Sequence, residues 1–198
     1  MNTLKAEKRT MDTKAKRLRR EGYVTGNVFG REMEGSLPVK IEKSAVEKLL
    51  KTSNKGSQIM LDVDGQSYDV LIKEIQFNPL KGQVDEIDFQ ALVSNEKVHS
   101  VAEIVLVNHD KLEAGVLQQH LEEISFRALP SALVDKIMVD VGDMKVGDVI
   151  KVKDLAIAQD KDVDLKTDLE AAVVSVAAVH VDPALEAEEE AAVEEEAK

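Results

Sequence analysis

Apolar and polar residues alternate through much of this chain with the two-residue period of half-buried β-strands. Leu37, Val39 and Ile41 predict one such strand. Ile59, Leu61 and Val63 predict another, Asp64-Gly65 supplies a two-residue turn, and Tyr68, Val70 and Ile72 resume the alternation. That is the signature of a β-hairpin on a type I′-like turn. A second hairpin follows, in which Asn78-Pro79-Leu80-Lys81-Gly82 joins Ile75 and Phe77 to Val84, Ile87 and Phe89. Ahead of both, Tyr23 to Gly30 (YVTGNVFG) reads as a strand whose Gly26 and Gly30 permit a bulge or a close backbone approach.

Helical signals are short. Asp12 or Thr13 is placed to cap a helix that Gly22 would end, with only Ala15 and Leu18 as apolar content. Ser44-Ala-Val-Glu47 has the form of a capping box before a helix whose Val46, Leu49 and Leu50 share a face. Polar residues from Ala91 to Lys97 interrupt the strand blocks. Beyond them Val101–Val107, Ile124–Ala128, Ile137–Val141, Val149–Val152 and Val173–Val181 are Val/Ile-rich and separated by turn residues. The second block therefore reads as all-β. Val116 to Leu121 is compatible with a short helix or a loop.

Composition narrows the picture. A length of 198 residues accommodates one large domain or two modest ones, and 43% hydrophobic residues suffice for a core. With 3% aromatics and no Trp, that core must be built from Val, Ile and Leu. The absence of Cys excludes disulfides, thiol catalysis, Fe–S clusters and Cys-bearing zinc sites, and it fits a reducing compartment. The charged N-terminus does not resemble a signal peptide, and no apolar run approaches the ~20 residues of a membrane helix. A soluble, cytoplasmic protein without membrane contact is expected.

The net charge of -12 conceals an asymmetry. Residues 1–90 carry +2 and residues 91–198 carry -14, while the first 20 residues alone carry +6. Asp182 to Lys198 hold 8 acidic residues and one Lys, and residues 183–198 are expected to be a disordered, solvating tail.

Catalytic patterns are missing. GxSxG, P-loop, GxGxxG and kinase-type motifs do not occur, and His99, His109, His120 and His180 lack the spacing of a helical metal pair. Asp160, Asp162 and Asp164 mimic the opening of a calcium loop, but Leu165 and Ala171 stand where Gly and a bidentate Glu are needed. A non-enzymatic protein is expected, with no cofactor, metal or small-molecule substrate.

What remains is the basic arm of Lys5, Lys8, Arg9, Lys14, Lys16, Arg17, Arg19 and Arg20, of which the last four fall within five residues. Arg suits phosphate through its planar fork, and the arm carries few apolar residues that would make it core. An arm that orders on a partner is the expectation, with a nucleic acid as the candidate. Asn27, Phe29 and Gln76 in the neighbouring β-rich body are able to hydrogen-bond to RNA or stack on it.

Ala6-Glu7-Lys8-Arg9, Arg17-Leu18-Arg19-Arg20 and the Gly22–Gly30 segment, G-x-V-x-G-x-V-x-G, resemble the opening of the ribosomal protein L-twenty-five family, also called the Ctc general stress proteins. Val70 to Phe89 is similar to the family's second signature, and Leu129 to Leu155 to the second domain of its long members. The resemblance implies a mainly β protein of the bacterial 50S subunit. Its parts would be a 5S rRNA-binding β-barrel domain with flanking short helices over 1–91, an all-β domain over 92–182 and the acidic tail. It implies 5S rRNA, at the minor groove of an internal loop, and neighbouring subunit proteins as partners. Arg9, Arg19, Gln76 and Asp88 match RNA contacts of the family, and Lys14, Lys16, Arg17 and Arg20 belong to the same arm.

Three positions depart from the family: Thr25 stands for Pro, Phe29 for Tyr and Glu86 for His. Loss of the tyrosine hydroxyl costs on the order of 1 kcal/mol. Glu86 places a second carboxylate two residues from Asp88 on one strand face, where it repels phosphates. Weakened 5S binding is expected, and the alternative is a stress-associated paralogue acting through protein partners.

Overall fold

The computed structural model describes residues 2–178 apart from positions 11, 34, 112–114 and 161. Its first half joins the predicted strands to an unexpected one at the N-terminus. β1 (Thr3–Lys8), β2 (Tyr23–Phe29), β3 (Leu37–Glu42), β4 (Gln58–Val63), β5 (Gln66–Asn78) and β6 (Gln83–Ala91) form a barrel in the order β1-β3-β2-β6-β5-β4. β1 runs parallel to β4 and β2 parallel to β6, the other neighbours being antiparallel. Closure leaves no open edge for another chain to pair with. Val28, Val39, Ile59, Leu61, Val70, Ile72, Ile87 and Phe89 fill the interior, each fully buried. A side chain of this size contributes roughly 1.5–3 kcal/mol when fully buried.

Both predicted hairpins form. In the first, Val63 pairs with Gln66, and Asp64 and Gly65 take φ values of 51° and 89°, the positive values that a type I′ turn demands. In the second, Asn78 pairs with Gln83 across the Pro79–Gly82 loop.

The N-terminal arm differs from expectation. Residues 3–8 are the first barrel strand, with Leu4 and Ala6 buried, so the arm begins inside the fold. Alternation over so few apolar residues gives little warning, and pairing to β3 and β4 decides the outcome. The following helix, α1 (Ala15–Arg20), docks through buried Leu18. Lys14, rather than Asp12 or Thr13, occupies its N-cap, and no side chain caps it. Likewise α2 (Lys43–Leu50) starts one residue before Ser44 with Glu42 at its N-cap, so the capping box does not form. Val46 and Leu49 are buried as the spacing required.

The second half holds two sheets. β7 (Val98–Val107), β9 (Glu123–Ala128), β10 (Lys136–Asp140) and β12 (Val163–Leu165) form one in the order β10-β7-β9-β12. β8 (Val116–Gln119), β11 (Val149–Lys151) and β13 (Ala172–Ala177) form the other in the order β11-β13-β8. Residues 116–119 are therefore a strand, recruited by pairing with β13. Ile104, Ile124, Phe126, Val139, Val173 and Val174 lie in one core beneath both sheets. The expected acidic tail lies outside the described residues, as does His180.

The barrel and the second β unit touch directly. Lys55 pairs with Glu123 at 3.1 Å, Asn54 donates to Glu103, and Ser100 Oγ donates to the Gly56 carbonyl at 3.3 Å.

One surface ion cluster is pH-sensitive. Glu170 accepts hydrogen bonds from Lys151 at 2.7 Å and Lys153 at 2.9 Å. They hold its carboxyl down at about 2, against an ordinary 4.5. Because the folded pKa lies below the unfolded one, the stabilisation is complete above pH 4.5 and is lost as pH falls towards 2. Glu170→Gln should lower Tm slightly at pH 7, because the cluster is exposed. The gap from wild type should close over that acid window in thermal melts.

Candidate nucleic-acid interface

A β-bulge organises the candidate site. Between the pairs Gln76–Glu86 and Phe77–Val84, Asp85 is an extra residue in β6 with no partner across the ladder. The bulge leaves its carbonyl free, and Arg19 Nε donates to it at 3.1 Å and Thr25 Oγ1 at 3.4 Å. The guanidinium also stands 4.0 Å from the Asp85 carboxylate and 3.8 Å from that of Glu86. Asn78 Nδ2 donates to Asp85 Oδ2 at 3.1 Å, while Asp85 Oδ1 is buried without a hydrogen bond. α1 is thereby anchored across the start of β2, and Thr25 beneath it is buried.

The neighbouring strands complete a face. On β2 the outward positions after Thr25 are Asn27 and Phe29, the latter 38% exposed. On β6 they are Glu86, Asp88 and Gln90, separated by buried Ile87 and Phe89. On β5 they are Glu74 and Gln76, both exposed, paired with Asp88 and Glu86 respectively. Asp88 Oδ1 accepts from the Asn27 backbone N–H at 3.0 Å and from its Nδ2 at 3.3 Å, which ties β2 to β6.

The fold thus brings Arg19, Asn27, Phe29, Gln76, Glu86 and Asp88 onto one surface. The rest of the arm divides. Lys14, Lys16 and Arg20 are exposed and form no ion pair with any described residue. Arg17 pairs with Glu21 at 2.8 Å, and that hydrogen bond raises its pKa above the ordinary arginine value. Arg9 turns inward, donating from Nη2 to the Thr13 carbonyl at 3.1 Å, with its Nε buried and unpartnered.

The sequence marks Thr25 only as a departure from the family and Asn78 only as a turn residue, and it gives Asp85 no role; their contacts around the bulge come from the fold. The signal was present for Asp85: Val84 and Ile87 are three residues apart where alternation requires two, the mark of an inserted residue. Among the described residues no group of three or more His, Asp or Glu could hold a metal ion, and no helix is long and apolar enough to cross a membrane.

The profile of the Ribosomal L25p family matches residues 4–89, and that of the ribosomal protein TL5 C-terminal domain matches residues 97–180. The large ribosomal subunit protein bL25 of Caldanaerobacter subterraneus is 31% identical, over 88% of this chain and 88% of its own length. That of Listeria monocytogenes is 32% identical over 89% of this chain and 86% of its own. That of Geobacillus thermodenitrificans is 35% identical over 71% and 67%.

Proposed function

The chain belongs to the ribosomal L25p family, and from that premise we propose that it is a structural, non-catalytic protein of the large ribosomal subunit that holds 5S rRNA against the β2–β6–β5 face. Residues 1–91 act in this reading as the RNA-binding barrel domain, residues 92–182 as a second β domain, and residues 183–198 as the acidic tail. The protein works in the cytoplasm, on the ribosome.

One observation carries the reading: the Arg19 side chain is docked on a contiguous face that presents amides, an aromatic ring and carboxylate acceptors. Lys14, Lys16 and Arg20 on the adjoining helix neutralise phosphates. Phe29 stacks on a base or ribose, Asn27 and Gln76 hydrogen-bond in the groove, and Asp88 accepts from a base amino group. A wide, shallow RNA minor groove suits a gently curved sheet face better than an inserted helix.

Binding to a 5S rRNA loop fragment and to an unrelated duplex, titrated with salt, tests this directly. With about three to five phosphate contacts, the log–log slope should be roughly -2 to -4, with a clear preference for the loop. Weak binding, equal on both RNAs, would overturn the reading. It would favour a stress-associated paralogue acting through protein partners, for which the carboxylates of Asp85 and Glu86 beside Arg19 are the supporting observation.

A further inference from the structure

A cleft of about 280 Å³ opens where the barrel meets the second β unit. The charged side chains that line it are all cationic: Lys55, Lys73 and Lys166, with His99, Ser100 and Ser125 beside them. No Asp or Glu is among its lining residues. Residues 91–198 carry -14 overall, so a cation-lined cleft at this border is a local reversal of charge.

The backbone builds this arrangement. A second irregularity in β5 makes Lys73 an extra residue between the pairs Ile72–Phe89 and Glu74–Asp88. The bulge turns the side chain away from the RNA face and across the border, where Nζ donates to the His99 carbonyl at 2.8 Å. A neutral carbonyl occupies one of three ammonium donors and leaves the charge uncompensated. Burial, with the neighbouring Lys55 charge, holds the Lys73 pKa below the ordinary lysine value. Lys55 reaches Glu123, which does not line the cleft. Lys166 is exposed and Arg127 stands opposite His99 on the adjacent strand; the Asp164 carboxylate, paired with Lys97 at 2.9 Å, lies near both but does not line the cleft. Crowding like charges around a half-buried ammonium is unfavourable unless an anion joins them.

We propose that this cleft binds a phosphate group of an RNA backbone, clamped between the barrel and the second β unit. The inference rests on the RNA-binding reading above and extends its footprint. Lys73 lies three residues from Gln76 on the same strand, a distance of about 10 Å. A strand of RNA seated on the Gln76 face therefore reaches the cleft within a few nucleotides. Ser125 and His99, which also line the cleft, carry side-chain donors of a kind that suits phosphate oxygens.

Two measurements on the full chain test it. In the first, inorganic phosphate is titrated while backbone amide NMR signals of Gly56, His99, Ser100 and Ser125 are followed. They should shift and saturate in wild type, and stay still in Lys73→Gln/Lys166→Gln. In the second, 5S rRNA binding is titrated with salt, and the double variant should bind several-fold more weakly with a slope shallower by about one. Lys166→Gln alone, at an exposed position, should show part of both effects, so misfolding of the double variant cannot mimic the result. Unmoved amides together with an unchanged slope would overturn the proposal. Phosphate shifts without any change in RNA slope would overturn RNA as the occupant and leave a free-phosphate site. A wild-type chain that ignores 5S rRNA would sink the RNA-binding reading, and the phosphate titration alone would then decide whether the cleft binds an anion.

Discussion

Gly26→Ala should abolish the native barrel or lower its unfolding free energy by more than about 3 kcal/mol. The reason is a distance. A methyl group on Gly26 would lie 2.0 Å from the Ile87 carbonyl oxygen and 3.2 Å from its carbonyl carbon, both backbone atoms of the adjacent β6. Flexible side chains yield to such an intrusion, but here the obstacle is a strand held on both flanks by β2 and β5. Relief requires β2 and β6 to part, and with them one of the two parallel seams of the closed barrel. Asn27 and Phe29 ride on β2, so the proposed RNA face would be lost along with stability. Urea unfolding followed by far-UV circular dichroism checks the first effect. Gly82→Asn is the control: Gly82 sits in open space at φ 58°, a left-handed conformation that Asn tolerates. That variant should unfold within about 1 kcal/mol of wild type. Equal midpoints for Gly26→Ala and wild type would mean that the β2–β6 approach is not as close as described.

Arg19→Ala should weaken 5S rRNA binding by roughly 5- to 150-fold, the equivalent of about 1–3 kcal/mol, and make the salt slope shallower by about one. Arg19 is the arm cation placed on the face itself, through its hydrogen bond to the Asp85 carbonyl. Its ionic contacts to Asp85 and Glu86, at 4.0 and 3.8 Å, are long. The guanidinium can thus exchange a carboxylate for a phosphate without losing the backbone bond that aims it. In the proposed reading Glu86 would compete with RNA for the same cation, so Glu86→Gln should tighten binding several-fold and steepen the salt dependence. Arg19→Lys should recover only part of the loss, because an ammonium cannot hold the carbonyl and a phosphate with one rigid fork. Lys16→Ala, by contrast, removes one exposed cation and should cost less. An Arg19→Ala protein that binds with wild-type affinity and slope would disprove the assignment of this face.

The comparison between sequence and structure turns on which interactions are local. The Asp64-Gly65 hairpin was legible because its turn conformation and its alternating strands lie within 14 consecutive residues, Ile59 to Ile72. The all-β character of the second half was legible for the same reason, as was the clustering of cations in residues 5–20. Short elements went the other way. Residues 3–8 and 116–119 are strands because distant partners pair with them, β3 and β4 in one case and β13 in the other. The expected helix caps failed because helix ends were set by docking: Leu18 and Val46 determine where α1 and α2 lie, and Lys14 and Glu42 fall at the N-caps as a consequence.

The candidate site divides along the same line. Residue type alone marked the arm as suited to phosphate, yet only the fold separated its members. It set Arg19 on the β face, turned Arg9 inward to Thr13, paired Arg17 with Glu21, and left Lys14, Lys16 and Arg20 in solvent. The same holds for the bulges at Lys73 and Asp85, which send one side chain into the border cleft and open one carbonyl to Arg19. The chain by itself determined its β alternation, its turns and its charge asymmetry, because each is written in neighbouring residues. Strand pairing, register and the aim of each cation were decided by tertiary structure, because they depend on contacts between residues tens of positions apart.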